Sequence, residues 1–185
     1  MTTNKTATIY GKGTLGVFLV GGGGYGKKDQ SAGSSGFFKY ETVRLDASQT
    51  NVVVNVGEGG ISSSIDGGNT SVAVGGLTIT ARGGGGNNGL GWSMGGDDSK
   101  DGFSNGEGSA GSGESLPNIC GSATLSAGAG GKSHGGEGGG AGGVVVDGQK
   151  PNRRNSMDGV GFGAGGAEMD YDGYPGIALL ILCDL

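Results

Sequence analysis

A run of four glycines, Gly21–Gly24, directly follows the apolar segment Thr14–Val20, and further glycine runs recur along the chain. Glycine has no Cβ atom, so these runs bury little apolar surface, while their backbones can approach each other very closely. Their N–H and C=O groups still need partners wherever they are buried. Because an interior glycine costs a helix about 1 kcal/mol relative to alanine, no stretch of this chain favours a helix.

The overall glycine content alone would be typical of a disordered chain, since glycine occupies 49 of 185 positions. Two features argue against disorder throughout. The hydrophobic residues are gathered into short runs, and one of these runs, Ile177–Cys183, closes the chain. The sequence therefore predicts a folded domain that combines β-strands with extended glycine segments.

Six segments in the first 82 residues have the composition of β-strands, being rich in β-branched and aromatic residues and bounded by glycine or polar turns. They are residues 6–10, 14–20, 37–45, 51–56, 71–74 and 77–81. Alternation predicts that Val52, Val54 and Val56 share one face. The polar stretch Asp46–Thr50 has the length of a hairpin connector, and Gly75–Gly76 separates the last two segments.

Between Gly83 and Gly176 the glycine runs alternate with polar inserts without a fixed period, which excludes collagen. Consecutive glycines favour extended threefold helices of the polyproline II type, lying side by side and bonded through their peptide groups. We therefore expect one domain, residues 1–185, with essentially no α-helix. Its parts are a mainly β framework (4–82), a glycine-rich body (83–176) and a closing strand (177–183).

The order of these segments resembles a known family. The strings GVFLVGGGGYG, SGFFKYETVRL, NVVVNVGEGG, LTITARGGGG and GYPGIALLILC follow one another as in the stand-alone glycine-rich domains of phage, bacterial and animal surface proteins. Relatives include the glycine-rich region of anaplastic-lymphoma-kinase-type receptors and, more loosely, the tail-tip adhesins of T-even-like phages. The resemblance covers Lys5 to Cys183. It implies a small antiparallel β-sandwich that frames a bundle of polyglycine II helices.

The charge distribution excludes some partners. Net charge is −5, with +2 in residues 1–60 and −7 in residues 61–185, and no basic stripe runs along the sequence. A nucleic-acid partner is therefore not expected. The longest apolar run, at the C-terminus, is far shorter than the roughly 20 residues that span a bilayer, so we expect no transmembrane segment. No conventional signal peptide is recognisable in MTTNKTATIYGKG.

Two motifs imitate nucleotide-binding loops. Gly131-Lys132-Ser133 ends like a phosphate-binding loop, but Ser126 occupies the position of the first glycine, and the residues that follow cannot form the required helix. Gly11–Gly16 matches the dinucleotide pattern G-x-G-x-x-G, yet it leads into a strand-like segment and not a helix. His134 is the sole histidine and is interpreted as a spacer. We expect no cofactor and no enzymatic activity.

One acidic stretch imitates a calcium-binding loop. Asp97, Ser99, Asp101 and Gly102 occupy positions 1, 3, 5 and 6 of an EF-hand loop, but position 12 is Gly108 and no helices flank the segment. A solvated acidic loop is the favoured interpretation. A loosely built Ca²⁺ site near Asp97 and Asp101 remains the alternative.

Contact residues are expected in the inserts between glycine runs, where Trp, Tyr and Arg are the residue types that dominate interfaces. The candidates are Trp92, Lys150, Asn152, Arg153, Arg154, Asp170, Tyr171 and Tyr174. The opposite charges of segments 149–154 and 168–172 predict an attraction between neighbouring copies. Alternatively, Trp92 covers an apolar edge and the charges are solvated loop tips.

The apolar C-terminal segment predicts an assembly strand that pairs with further copies or with partner structural proteins. Its candidate residues are Ile177, Leu179, Leu180, Ile181 and Leu182. The expected function is a self-associating structural subunit of a virion, fibre or surface filament. The alternative is an adhesin that recognises a glycan or surface protein. Cys120 and Cys183 indicate no disulfide framework, and whether the two are free or bonded stays open.

Overall fold

A computed structural model describes residues 5–28, 32–86, 118–120, 123–128, 142–152 and 154–183, together with the backbone of 96–97. This part of the chain contains β-strands and extended segments and no α-helix, which confirms the predicted mainly β fold. Its strands are β1 (Lys5–Tyr10), β2 (Gly13–Val20), β3 (Phe37–Leu45), β4 (Gln49–Asn55), β5 (Thr70–Val74), β6 (Leu77–Ala81), β7 (Gly96–Asp97), β8 (Leu125–Ala127), β9 (Val144–Val146) and β10 (Ile177–Cys183).

The strands form two main sheets and one small two-stranded sheet. Sheet A has the order β1-β4-β5-β6 and is antiparallel throughout. Sheet B has the order β10-β2-β3-β7, in which only β7 pairs in parallel. Strands β8 and β9 form a separate antiparallel pair.

Apolar side chains from both sheets meet in a first core, which makes sheets A and B a sandwich. Its buried members are Leu15, Val17, Leu19, Val43, Leu45, Val52, Val72, Val74, Ile79 and Ala81. The predicted alternation in β4 is confirmed, because Val52 is fully buried and Val53 is exposed on the opposite face. One face of each sheet thus supplies the apolar surface that the glycine runs lack.

The connection between β3 and β4 does not form the hairpin that its length suggested. Strand β3 pairs with β2 in sheet B, whereas β4 pairs with β1 and β5 in sheet A. The linker therefore crosses from one sheet to the other, which lets both strands point apolar residues into the same core. The true two-residue hairpin joins β5 to β6, where Gly75 and Gly76 have φ angles of 55° and 80°.

A second core lies on the other face of sheet B, so β2 is buried on both sides. Phe18 and Val20 from β2 pack there with Phe38, Ile119 and the valines of β9. The β8–β9 pair thus forms a third layer on the sandwich.

A disulfide joins Cys120 to Cys183 and settles the state that the sequence left open. Their Cα atoms are 5.5 Å apart. The bond fastens segment 118–120 to the end of β10, above Gly16. A Cβ at Gly16 would lie 3.5 Å from each sulfur atom and 3.0 Å from Ile119 Cγ2. Glycine in the middle of β2 therefore makes room for this contact.

Beyond the sandwich, β2 continues into segment 21–26, whose N–H groups bond to three neighbouring segments with a period of three residues. The N–H groups of Gly21 and Gly24 donate to the carbonyl oxygens of Phe37 and Ser34 in the first neighbour. Those of Gly22 and Tyr25 donate to Gly68 and Ile65 in the second neighbour. Those of Gly23 and Gly26 donate to Tyr174 and Tyr171 in the third, and all six N···O distances are 2.8–2.9 Å. In each case the acceptor number falls as the donor number rises, so the segments are antiparallel. A repeat of three residues is that of a threefold extended helix.

Segment 21–26 also accepts hydrogen bonds from three further segments. The N–H groups of Gly60, Gly84 and Gly166 donate to the carbonyl oxygens of Gly23, Gly22 and Gly24. Six neighbours thus surround the segment. We call the set of segments 21–26, 33–36, 57–60, 65–68, 82–86, 163–167 and 171–176 the glycine cluster. It draws on residues before and after position 82, and its assignment as polyglycine II stays a prediction.

Substitutions at two adjacent glycines test how much the cluster depends on close backbone contact. A Cβ at Gly84 would collide with the carbonyl oxygens of Ser34 and Ser35, whereas a Cβ at Gly85 would lie 3.6 Å from Ser34 Oγ in ordinary contact. We expect Gly84→Ala to lower the free energy of unfolding by about 1–3 kcal/mol or more. Gly85→Ala should change it by less than about 1 kcal/mol. Urea denaturation measures both, and equal losses at the two positions would contradict the packing described.

Candidate assembly surface

Strand β10 lies at one edge of sheet B and carries seven residues without a charge, IALLILC. It pairs along its whole length with β2, from Ile177 opposite Val20 to Cys183 opposite Thr14. No strand in the described residues pairs with its other edge. The N–H and C=O groups on that edge therefore offer a template for a further strand.

Most side chains of β10 are used inside the molecule. Ile177, Leu179 and Ile181 pack against the second core, and Leu180 packs against the first. Leu182 is 41% exposed. It lies over the β1–β2 turn. Its methyl groups would be 3.9 and 3.5 Å from Cβ atoms added to Gly11 and Gly13. A partner would therefore meet the backbone edge and Leu182, and the assembly role of this strand stays a prediction.

The predicted contact residues in the other inserts have different environments. Lys150, Asn152, Arg154 and Asp170 are exposed, and Tyr171 is half-buried. Trp92 and Arg153 lie outside the described residues. Tyr174 is only 3% exposed, so it is not the surface residue that the sequence suggested.

The buried side chain of Tyr174 forms hydrogen bonds with a loop outside the glycine cluster. Its hydroxyl donates to Asp158 Oδ2 at 2.8 Å and accepts from the Arg154 N–H at 2.8 Å. Asp158 is fully buried and also accepts from the Ala167 N–H. The tyrosine therefore joins loop 154–158 to segment 171–176.

Arg154 covers this tyrosine from outside. Its guanidinium lies 4.8 Å from the centre of the Tyr174 ring, and Nη1 donates to the Asp172 carbonyl oxygen at 2.8 Å. The Asp172 carboxylate is 4.0 Å from the same nitrogen. The basic and acidic segments thus meet within one chain at Arg154, whereas the sequence suggested a contact between copies.

Burial governs the protonation of the two inner tyrosines. It raises the pKa of Tyr174 to about 12, and the hydrogen bond to Asp158 adds to this effect, while the Arg154 N–H opposes it. The pKa of Tyr25 is also raised, first by burial and then by its hydrogen bond with Asp170. Both hydroxyls stay protonated near neutral pH and can serve as donors to these carboxylates.

The remaining motifs lie partly outside the described residues. Gly131–Ser133, His134, Asp101 and the side chain of Asp97 are not described, so the calcium alternative stays a prediction. The described part holds no group of three or more His, Cys, Asp or Glu side chains suited to a metal ion. Gly11–Gly13 forms the turn between β1 and β2, which confirms the turn interpretation of the dinucleotide-like pattern. No helix in the described part could span a membrane.

Comparison with family models, with curated proteins and with solved structures finds no match to this chain. The resemblance to glycine-rich surface domains therefore stays a prediction that depends on the order of the segments.

The buried hydrogen bond of Tyr174 can be tested by removing its hydroxyl. Tyr174→Phe leaves the buried Asp158 carboxylate without this donor, so we expect the free energy of unfolding to fall by about 1–3 kcal/mol. Tyr10→Phe, at a side chain that is 73% exposed, is the matched control and should change it by less than about 0.5 kcal/mol.

The raised pKa of Tyr174 also predicts a pH dependence. The folded state holds this proton more tightly than the unfolded state, whose pKa is near 10.0. The associated stability is present below pH 10 and is lost as the pH rises towards 12. Thermal melts over this range should show a smaller decline for Tyr174→Phe than for the wild type. Parallel declines would contradict the assignment.

Proposed function

We propose that this chain is a non-enzymatic structural subunit that associates with further copies of itself through strand β10, in a virion, a fibre or a surface filament. The observation that carries the proposal is the apolar outer edge of β10, with which no strand of the described residues pairs. Natural edge strands commonly carry charged residues, especially lysine, that discourage pairing with other chains. Strand β10 carries none.

The edge strand β1 of sheet A differs from β10 in composition, and this difference supports the interpretation. Strand β1, an edge strand of sheet A, carries the exposed polar side chains of Lys5 and Thr6. Exposed polar and charged side chains on an edge strand discourage pairing with other chains. Strand β10 is thus the more strongly apolar of the two edges, and its residue Leu182 has an exposed apolar side chain.

The organisation of the interior also favours a structural role. Three stacked layers and the glycine cluster use the residues of the two cores and the glycine runs for packing inside the molecule. A framework of this kind presents its edges in a fixed geometry, as a building block requires. The disulfide fixes the end of β10 in addition, which suits an oxidising, extracellular location.

An adhesin is the second candidate, and the loops at the far end of the glycine cluster favour it. Lys28 lies there beside Asp170, since its N–H donates to the Asp170 carboxylate at 3.2 Å. Met169, in the same loop, is 38% exposed. Mixed polar and apolar side chains on loops that a rigid body supports are suited to recognising a glycan or a surface protein. Binding of monomeric protein to a glycan array would favour this candidate.

A charge at the exposed position of β10 tests the assembly proposal. We expect the wild type to associate with rising concentration, and Leu182→Lys to weaken this association about tenfold or more, because the ammonium group would be desolvated at the contact. Val53→Lys is the control, since Val53 is 38% exposed on a central strand and not at the edge. Sedimentation velocity and negative-stain microscopy measure the assemblies.

Two results would count against the proposal. A wild type that stays monomeric at all accessible concentrations would leave β10 without a role in self-association. Equal effects of the two lysine variants would show that general surface charge, and not the edge, controls the assembly.

A further inference from the structure

One face of sheet A points away from the first core. Val52, Val72 and Ile79 are buried in that core, so the residues that alternate with them along β4, β5 and β6 point outwards. Residues that pair directly across antiparallel strands share a face, which adds every second residue of β1 to this surface. We call this surface the outer sheet face. Its members are Thr6, Thr8 and Tyr10 of β1, Gln49, Asn51, Val53 and Asn55 of β4, Ser71 and Ala73 of β5, and Thr78 and Thr80 of β6.

The outer sheet face is polar but carries no formal charge. Eight of its eleven residues are Thr, Ser, Asn or Gln, and the others are Tyr10, Val53 and Ala73. Lys5, the charged residue of β1, pairs with Val54 and belongs to the opposite face. Charged side chains normally lie on exposed surfaces, so a four-stranded face without one is distinctive. Its hydroxyl and amide groups both donate and accept hydrogen bonds.

The centre of the outer sheet face is open. Thr6, Val53, Ala73 and Thr78 form one row straight across the four strands. All four are exposed, so no described segment covers the middle of sheet A on this side. Three interstrand spacings make the row about 14 Å long, which is enough for a short stretch of linear polymer.

The two apolar residues at the centre of this row lie between polar pairs. On one side the Asn55 side-chain amide donates to Ser71 Oγ at 3.4 Å. On the other side the Thr8 hydroxyl donates to Asn51 Oδ1 at 3.1 Å. Such cross-strand pairs hold their side chains in place on the sheet. The result is a short apolar strip with hydrogen-bonding groups along both of its sides.

This arrangement matches the chemistry of a neutral polysaccharide. A pyranose ring with equatorial substituents presents C–H groups on its two faces and hydroxyl groups around its rim. The apolar strip suits the face of the ring, and the polar pairs suit the hydroxyls, which also both donate and accept. Tyr10, which is 73% exposed at the end of the outer sheet face, offers an aromatic ring against which a further sugar can stack.

Other occupants fit the outer sheet face less well. Protein interfaces centre on buried aromatic, Met and Arg side chains, whereas the centre of this face holds Val53 and Ala73, which extend little beyond the backbone. An anionic polymer would find no cation on the face and would meet a chain with a net charge of −5. A neutral sugar polymer needs no ionic partner.

We propose that the outer sheet face binds a neutral polysaccharide of the cellulose type, with equatorial hydroxyl groups, laid across the four strands. The site uses neither β10 nor the loops at the far end of the glycine cluster, so it does not depend on self-association. A chain that assembles through β10 would present the face in several copies, which strengthens attachment to a long polymer.

Affinity electrophoresis of the intact chain through gels that contain hydroxyethylcellulose tests this site. We expect the wild type to be retarded as the polymer concentration rises. Thr78→Asp places a carboxylate at the end of the exposed row and should raise the dissociation constant at least about fivefold, because the charge must lose water against a neutral partner. Thr42→Asp is the matched control, since Thr42 is exposed on β3 of sheet B and the change in net charge is the same. It should leave the dissociation constant nearly unchanged, and thermal melts should confirm that both variants fold.

Tyr10 provides an independent check. Tyr10→Ala should weaken the retardation, whereas Tyr10→Phe should retain it, because stacking requires the ring and not the hydroxyl. Equal weakening by the two variants would show that the ring does not stack on a sugar and would count against the site.

Further outcomes would overturn the inference. A wild type that runs unretarded would do so, as would equal effects of Thr78→Asp and Thr42→Asp. Stronger retardation by carboxymethylcellulose would assign the face to anionic polymers, and self-association that Thr78→Asp abolishes would assign it to a second copy. Sedimentation of the same samples keeps the two proposals distinct. A chain that binds the polymer but stays monomeric retains this inference and removes assembly through β10, and a chain that assembles but is not retarded does the reverse.

Discussion

Close contact between glycine backbones is the constraint on which the rest of this structure depends. Segment 21–26 exchanges hydrogen bonds with six neighbouring segments. A Cβ atom at Gly22, Gly23 or Gly24 would overlap a carbonyl group of Glu58, Ala164 or Gly85. Peptide groups at this spacing satisfy each other without helix or sheet ladders, and they do so only where side chains are absent. The glycine content is therefore a packing requirement of the fold.

The sandwich and the glycine cluster stabilise each other through continuous chain and buried polar contacts. Strand β2 runs directly into segment 21–26, and β10 follows directly on segment 171–176. At the junction, the buried Thr70 hydroxyl donates to the Val20 carbonyl at 2.6 Å and accepts from the Gly57 N–H at 3.0 Å. Apolar burial in the two cores thus fixes the register of the glycine segments, which have almost no apolar surface of their own.

Local patterns predicted the strands well, because β-branched runs bounded by glycine are a local property. The sheet change between β3 and β4 was not predictable in this way, since it depends on which strands compete for the same edge. Tyr174 illustrates the same limit at the level of a site. Its sequence context is acidic and polar, yet Asp158, sixteen residues earlier, supplies a buried hydrogen-bond acceptor that draws it inside. The pairing of Cys120 with Cys183 likewise depends on Gly16, which the sequence marks only as a glycine within a strand.

The edge of β10 is fixed before any partner arrives. Pairing with β2 holds it along one side, cores on both faces hold its side chains, and the Cys120–Cys183 bond holds its end. A strand prepared in this way loses little conformational entropy when it pairs, so even a small contact can be stable. The glycine cluster contributes indirectly, because it fixes segment 171–176, from which β10 begins. The glycine runs, which have almost no side chains of their own, therefore determine where strand β10 and its outer edge lie.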